Sequence, residues 1–220
     1  MAVLVRYLKA LAGLPPTVLL PSQTPVNGEG PALFANGAFY VQYGASSALA
    51  ASTTETSILS NTSSTTVGFY TQGSAAAYPA STLGIQQGLL SLGTNFMATV
   101  TGIISNTSTP TLRLRWVLRN SAGTVVYSLV DTGAVTTTST LSSSFLQFQA
   151  QWCVTATGTS GSVLGWGTVL QKAAVNNTVA PTSVAVDTTQ VYTLDCLATW
   201  GTSSASNTLT AQNVFAEVTG

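Results

Sequence analysis

Residues 112–119 read Leu-Arg-Leu-Arg-Trp-Val-Leu-Arg, and this alternation decides the fold class. Leu112, Leu114, Trp116 and Leu118 fall on one side of an extended chain, and Arg113, Arg115 and Arg119 on the other. Successive side chains of an extended backbone point to opposite faces, so a period of two marks a strand with one face in a core. The rhythm recurs downstream, where Leu146, Phe148, Ala150, Trp152 and Val154 alternate with Gln147, Gln149 and Gln151. It recurs in 190–200, with Tyr192, Leu194, Cys196, Ala198 and Trp200 inward, and upstream, where Phe96, Ala98 and Val100 oppose Met97, Thr99 and Thr101. Further strands are expected at 38–43, 53–59, 67–71, 124–130, 163–170 and 208–218, with turns at 120–123, 158–161 and 201–207. Residues 72–94 read as a long connection, the Ser/Thr runs 60–66, 136–144 and 202–206 as loops, and Trp166 alternates like a core residue. Strands and turns at this spacing predict an all-β fold, an antiparallel β-sandwich whose count fits a jelly roll.

Residues 3–12 are the one good helix candidate, with Leu4, Leu8 and Leu11 on one side and Tyr7 beside them. Gly13 and Pro15-Pro16 end it, and it is too short to be stable without a partner surface. Pro15, Pro16, Pro21, Pro25 and Pro31 then make an extended arm. The expected division is an anchoring helix and proline-rich arm at 1–31 and a jelly-roll sandwich at 32–220. Arg6 and Lys9 among apolar residues imitate a secretion signal, but Lys9 interrupts the apolar stretch and no cleavage context follows.

Charged residues make up 5% of the chain, against roughly 25% in an average globular protein. Ser and Thr together number 61 of 220, and the net charge is zero. Polarity is carried by hydroxyls and amides, which suits a surface covered by neighbours in a permanent assembly better than a free monomer kept soluble by charge. Nucleic acid is excluded as a partner, because phosphate binding needs clustered Lys and Arg and none occurs between Lys9 and Arg113. A membrane span is excluded because no apolar run reaches about 18 residues.

Catalysis is not expected. The chain has no His, so triads cannot form and metal sites lose their commonest ligand; no cofactor and no metal is expected. The acids Glu29, Glu55, Asp131, Asp187, Asp195 and Glu217 are scattered. Asp131 before Thr-Gly and Asp187 before Thr-Thr read as turn caps, and Asp195 as a residue facing away from the core. Cys153 and Cys196 read as ordinary thiols, and Gly158-Thr-Ser-Gly161 as a hairpin turn lacking the Lys-Ser/Thr of a phosphate loop. Asn61-Thr-Ser63, Asn106-Thr-Ser108 and Asn176-Asn-Thr178 match the glycosylation pattern at chance frequency. The row Arg113, Arg115, Arg119 repels itself unless paired. Its acids are sought in Asp131, Asp187 or Asp195, or on a neighbouring protein. The row Gln147, Gln149, Gln151 suits either an exposed strand or a subunit interface, since amides bond across an interface without burying charge.

The succession Thr-Leu-Arg-Leu-Arg-Trp (111–116), Phe-Leu-Gln-Phe-Gln-Ala-Gln-Trp (145–152), Val-Asp-Thr-Thr-Gln-Val-Tyr-Thr-Leu-Asp (186–195) and Ala-Thr-Trp-Gly-Thr-Ser-Ser-Ala-Ser-Asn-Thr-Leu-Thr (198–210) resembles small virion proteins of tailed bacteriophages. These carry a tumour-necrosis-factor-like jelly-roll domain and serve as head decoration (cement) proteins or head fibres. The resemblance covers about residues 33–220 and implies a homotrimer on the exterior of the virion that stabilises the particle. It implies a major capsid or other virion protein as the dock for Leu4, Tyr7, Leu8 and Leu11, and it supplies no catalytic residue. Two alternatives stay open. One is a receptor-binding tail-fibre or spike tip, whose loops 60–66, 136–144 and 202–206 touch host surface glycan or protein. The other is a secreted carbohydrate-binding sandwich, for which Trp166 and Tyr78 are the candidate exposed aromatics.

Overall fold

The computed structural model describes residues 37–43, 48–59, 84–85, 90–120, 122–138, 140–172, 174–190 and 192–218, with backbone alone for 37–43, 84–85 and 174–176. The expected helix with Leu4, Tyr7, Leu8 and Leu11, the proline-rich arm, the strand at 67–71 and Tyr78 lie outside these residues. All regular structure among the described residues is strand: β1 (Gly37–Tyr43), β2 (Leu49–Ala50), β3 (Thr56–Ser57), β4 (Gly84–Ile85), β5 (Asn95–Asn106), β6 (Thr111–Arg119), β7 (Val125–Asp131), β8 (Val135–Thr136), β9 (Leu141–Ala156), β10 (Gly161–Gln171), β11 (Ala174–Val186), β12 (Tyr192–Trp200) and β13 (Thr208–Val218).

The strands form two antiparallel sheets. Sheet A has the order β1-β13-β5-β9-β10-β11, with β2 on β13; sheet B has the order β3-β12-β6-β7, with β4 on β12 and β8 on β6. Taking β1, β3, β5, β6, β7, β9, β12 and β13 as strands one to eight, the orders are 1-8-3-6 and 2-7-4-5. That is the jelly-roll arrangement of two interlocked Greek keys. The hairpin β10–β11 is inserted between the sixth and seventh strands and widens sheet A at one edge.

The core lies between the sheets, and its pieces interlock by size. Large residues stand opposite small ones in sheet B, where Trp116 pairs with Cys196 and Leu114 with Ala198. In sheet A a row of small residues, Ala216, Ala98, Ala150 and Gly167, crosses four strands. It is flanked by the row of Phe96 and Trp152, whose rings stack at 5.6 Å, and by Phe148, whose ring lies 6.2 Å from Trp116 of the other sheet. The indole N–H groups of Trp116, Trp152 and Trp200 are buried without a hydrogen-bond partner. Each costs about 1–3 kcal/mol, while burying roughly 200 Å² of indole at ~25 cal/mol per Å² returns about 5 kcal/mol, so packing wins.

At the widened edge β10 and β11 turn in against β7. Asn177 Nδ2 donates to the Thr132 carbonyl at 3.1 Å, the Asp187 N–H donates to the Tyr127 hydroxyl oxygen at 3.2 Å, and Val179 and Val184 pack on the core. A Cβ at Gly165 would run into the Leu129 carbonyl oxygen, so this position must be glycine for β10 to pass β7.

The structure corrects one expected loop, at 136–144, and adds one strand. Residues 174–186, for which no strand was expected, form a long strand that contains Asn176, Asn177 and Pro181. A proline is tolerated because β11 is the edge of sheet A and its ladder is irregular between Gly165 and Gly167, opposite Pro181. The run 136–144 is not all loop, since β9 begins at Leu141, whose N–H donates to Asn106 Oδ1 at 2.7 Å. Asn106 is no glycan acceptor: it is 2% exposed, and its Nδ2 donates to Thr137 Oγ1 and to the Ser108 and Thr138 carbonyls. Replacing Gly165 by Val should lower the stability of the domain by about 1–3 kcal/mol or more, read as a fall in the urea midpoint with unchanged slope. Val at exposed Ala180 should leave the midpoint in place.

Candidate assembly interface

The two outer faces of the sandwich differ in kind. On sheet B the arginine row of β6 finds its acids within the chain. Arg113 grips Asp131 with two bonds, from Nε at 2.9 Å and from Nη2. Arg115 Nη1 donates to Glu55 Oε1 at 2.6 Å, and its Nε lies 3.6 Å from Asp131. Arg119 Nε donates to Asp195 Oδ2 at 2.8 Å and its Nη1 to the Gly123 carbonyl. Asp131 and Asp195 were expected as partners from sequence. Asp187 is not one: it caps its turn, accepting from the N–H and hydroxyl of Thr189. Glu55 was missed, since it lies 60 residues from Arg115 and only the pairing of β3 with β12 brings it near.

Asp195 corrects the expectation of an exposed acid. It does alternate with the inward Leu194 and Cys196, but it has no exposed surface. β12 is an inner strand of sheet B, and Ser57 and Arg119 close over the carboxylate, Ser57 Oγ donating to Oδ1 at 2.6 Å. Burial pushes the Asp195 carboxyl above the usual carboxylate range, against the pull of Arg119, Ser57 and the Cys196 N–H. Asp131 behaves oppositely: partial burial pushes it up, but the Arg113 bond, the Gly133 N–H and the Arg113 and Arg115 charges together hold it below that range. Asp187 is held low by the two bonds from Thr189. The Cys196 thiol is buried and pushed well up, which makes it inert.

The outer face of sheet A carries almost no charge. Of the nine charged residues described, Glu55, Arg113, Arg115, Arg119, Asp131 and Asp195 stand on or beside sheet B, and Lys172 and Asp187 sit in turns. Glu217 alone faces out from sheet A. The glutamine row is the centre of this face. Gln147 lies between Thr101 and Leu170, Gln149 between Thr99 and Thr168, and Gln151 between Met97 and Trp166. The amides of Gln149 and Gln151 meet only the Met97 sulfur, at 3.2 and 3.9 Å. Most of their bonding capacity is therefore unspent.

Trp166 belongs to this face and not to the core. The inward positions of β10 are Gly161, Val163, Gly165, Gly167, Val169 and Gln171, whereas Leu164, Trp166 and Leu170 point outward. The reversal has a cause: where β10 crosses β7 the inner side has no room for a side chain. The large apolar residues therefore stand on the outside of sheet A, joined by the exposed cross-strand pair Ile103 and Phe145.

No family model and no curated protein matches the chain. Among solved structures it is similar to the CBM2 module of the evolved Dit of Lactobacillus casei BL23 phage J-1, with 11% identity and a TM-score of 0.30, over 57% of this chain and 63% of that one. It is also similar to the legume lectin-like domain from Entamoeba histolytica, with 9% identity and a TM-score of 0.26, over 59% of this chain and 74% of that one. The chain thus spans less than two thirds of the phage module, and no functional residue is carried over from either structure.

The ion pairs predict unequal costs. Arg119→Ala leaves Asp195 buried and unpaired and should cost about 3–5 kcal/mol, whereas Arg113→Ala, at the exposed end of the row, should cost about 1 kcal/mol or less; denaturant melts of the two variants check this. The carboxyls also fix the pH profile. Because Asp195 holds its proton more tightly folded than unfolded, its contribution to stability rises as pH falls from neutral towards about 4. Asp131 and Asp187 are shifted down, so their contribution is complete above about pH 4 and is lost as pH falls through their folded values. Denaturation measured across this range should show greatest stability near pH ~4, and Asp195→Asn should flatten the limb between neutral pH and that maximum.

Proposed function

We propose that the chain is a non-enzymatic structural protein of a tailed-phage virion, of the tumour-necrosis-factor-like head-decoration or head-fibre type, that trimerises through the outer face of sheet A. The observation that carries this reading is the reversed alternation of β10, which sets Leu164, Trp166 and Leu170 on an outer face whose one charge among the described residues is Glu217. A face with apolar side chains and unspent amides but almost no charge matches the centre of an obligate interface. The paired charges on sheet B suit a face left to water. The jelly-roll strand order is the one this protein type requires. In this reading the segment 1–31, with Leu4, Tyr7, Leu8 and Leu11, docks the trimer on a major capsid or other virion protein at the particle's exterior. Three such arms held together make release slow even if each binds modestly.

Two measurements test the reading. Light scattering at micromolar concentration should give about three times the 22.5 kDa chain mass, and Gln149→Lys, which forces a charge into the middle of the face, should give folded monomers while Arg113→Ala does not. A monomeric parent protein would sink the proposal. Undecorated phage heads should bind the full chain and lose that binding when residues 1–20 are deleted.

A further inference from the structure

Gly37 of β1 pairs with Val218 of β13, so both ends of the described β-domain lie at one end of sheet A. Residues 1–36 therefore join the domain there. The turns around Gly93, Gly123 and Gly158 share that end. The opposite end is formed by residues 107–110, 132–138 and 140, the turn at Lys172, loop 201–207 and residues 51–52.

Three observations set this far end apart. The first is backbone strain. All four described non-glycine residues in the left-handed region lie here: Ala51 (φ 53°), Thr140 (φ 37°), Ser143 (φ 44°) and Lys172 (φ 52°). Glycines take such positions without strain at 93, 123 and 158 at the near end and at 133 at the far end. Strain retained in side-chain-bearing loop residues gathers where a chain holds a ligand. The second is rigidity. Asn106 fastens loops 107–110 and 137–141 from beneath, Asn207 Nδ2 holds Thr202, and Ser203 Oγ is bonded to the Ala51 carbonyl. Within this framework Gln171 Oε1 accepts from the Thr138 N–H, but its Nε2, on a residue 2% exposed, has no partner. The third is the surface itself. Thr107, Ser108, Thr109, Thr138, Thr140 and Ser143 are exposed, Lys172 is the one charged side chain among the described residues of these loops, and Phe145 stands 44% exposed beside them, its carbonyl accepting from the Lys172 N–H.

We infer that this far end is a recognition tip for an uncharged glycan. Exposed hydroxyls on a framework fixed from beneath answer the hydroxyl groups of a sugar, the Phe145 ring offers a plate for the apolar face of a pyranose, and a single lysine without an arginine fork beside it is too little to select an anionic ligand. Phe145 stands at the far-end margin of the outer face of sheet A, so glycan binding is separated from trimer formation by measuring mass alongside binding.

The test is binding of the purified full chain to an array of neutral hexose and N-acetylhexosamine oligosaccharides, with dextran sulfate as the anionic control. Binding to at least one neutral oligosaccharide is expected, weakened roughly tenfold by Phe145→Ala and unchanged by Leu92→Ala, an exposed apolar residue at the near end. Thr140→Gly should raise the denaturation midpoint and weaken binding. Mass measured alongside should be the same for Phe145→Ala as for the parent. No binding across the array, a preference for dextran sulfate, equal effects of the Phe145 and Leu92 variants, or loss of assembly in Phe145→Ala would each overturn the inference.

Discussion

The fold depends on the way two sheets close on three tryptophans. Trp116 and Trp200 enter from sheet B and Trp152 from sheet A; Trp116 pairs with the small Cys196, and Trp152 lies between Gly165 and the flat ring of Phe96. Their indole N–H groups go unbonded, which shows how strongly packing outweighs hydrogen bonding here. Once these side chains are seated, the parity of every strand through them is set, because a shift of one residue would turn a whole hydrophobic row outward. The faces of the protein are thus consequences of its core.

From that parity comes the division of labour between the sheets. Where β10 crosses β7 its inward side is reduced to glycine, so its bulk goes outward. The same alternation in β6 sends the arginines to the outside of sheet B, where they meet Glu55, Asp131 and Asp195 and neutralise one another. One face is left with paired charges and the other with apolar groups and amides. Six of the nine described charged residues stand on or beside sheet B.

Strands with clean alternation were legible from sequence, and β5, β6, β9, β12 and β13 lie where it placed them. Their inward residues were legible too, since apolar character and burial coincide there. What escaped was decided by tertiary neighbours. β11 carries the signals of a loop because an edge strand tolerates proline and asparagine. Trp166 looked inward because size normally marks the core, and only the close approach of β7 makes the small residues the inner ones. The glutamine row was read from its chemistry as either an exposed strand or an interface, and the face around it needed the register of four strands to assemble. Asp195 was placed on the correct side of its strand, yet its burial depends on Ser57, a residue 138 positions away.

The pairing of β1 with β13 has a mechanical side. The ladder runs from Gly37 opposite Val218 to Tyr43 opposite Asn213, along the strand axis and inward from the end where residues 1–36 join. A pull on that segment, with the rest of the sandwich held by its neighbours, drags β1 lengthwise past β13. The hydrogen bonds between the two strands are then loaded together, in shear, and must yield nearly at once. A pull that separated residue 37 sideways from residue 218 would instead open the ladder one bond at a time. The way the chain enters its sheet therefore sets the direction along which the domain resists force.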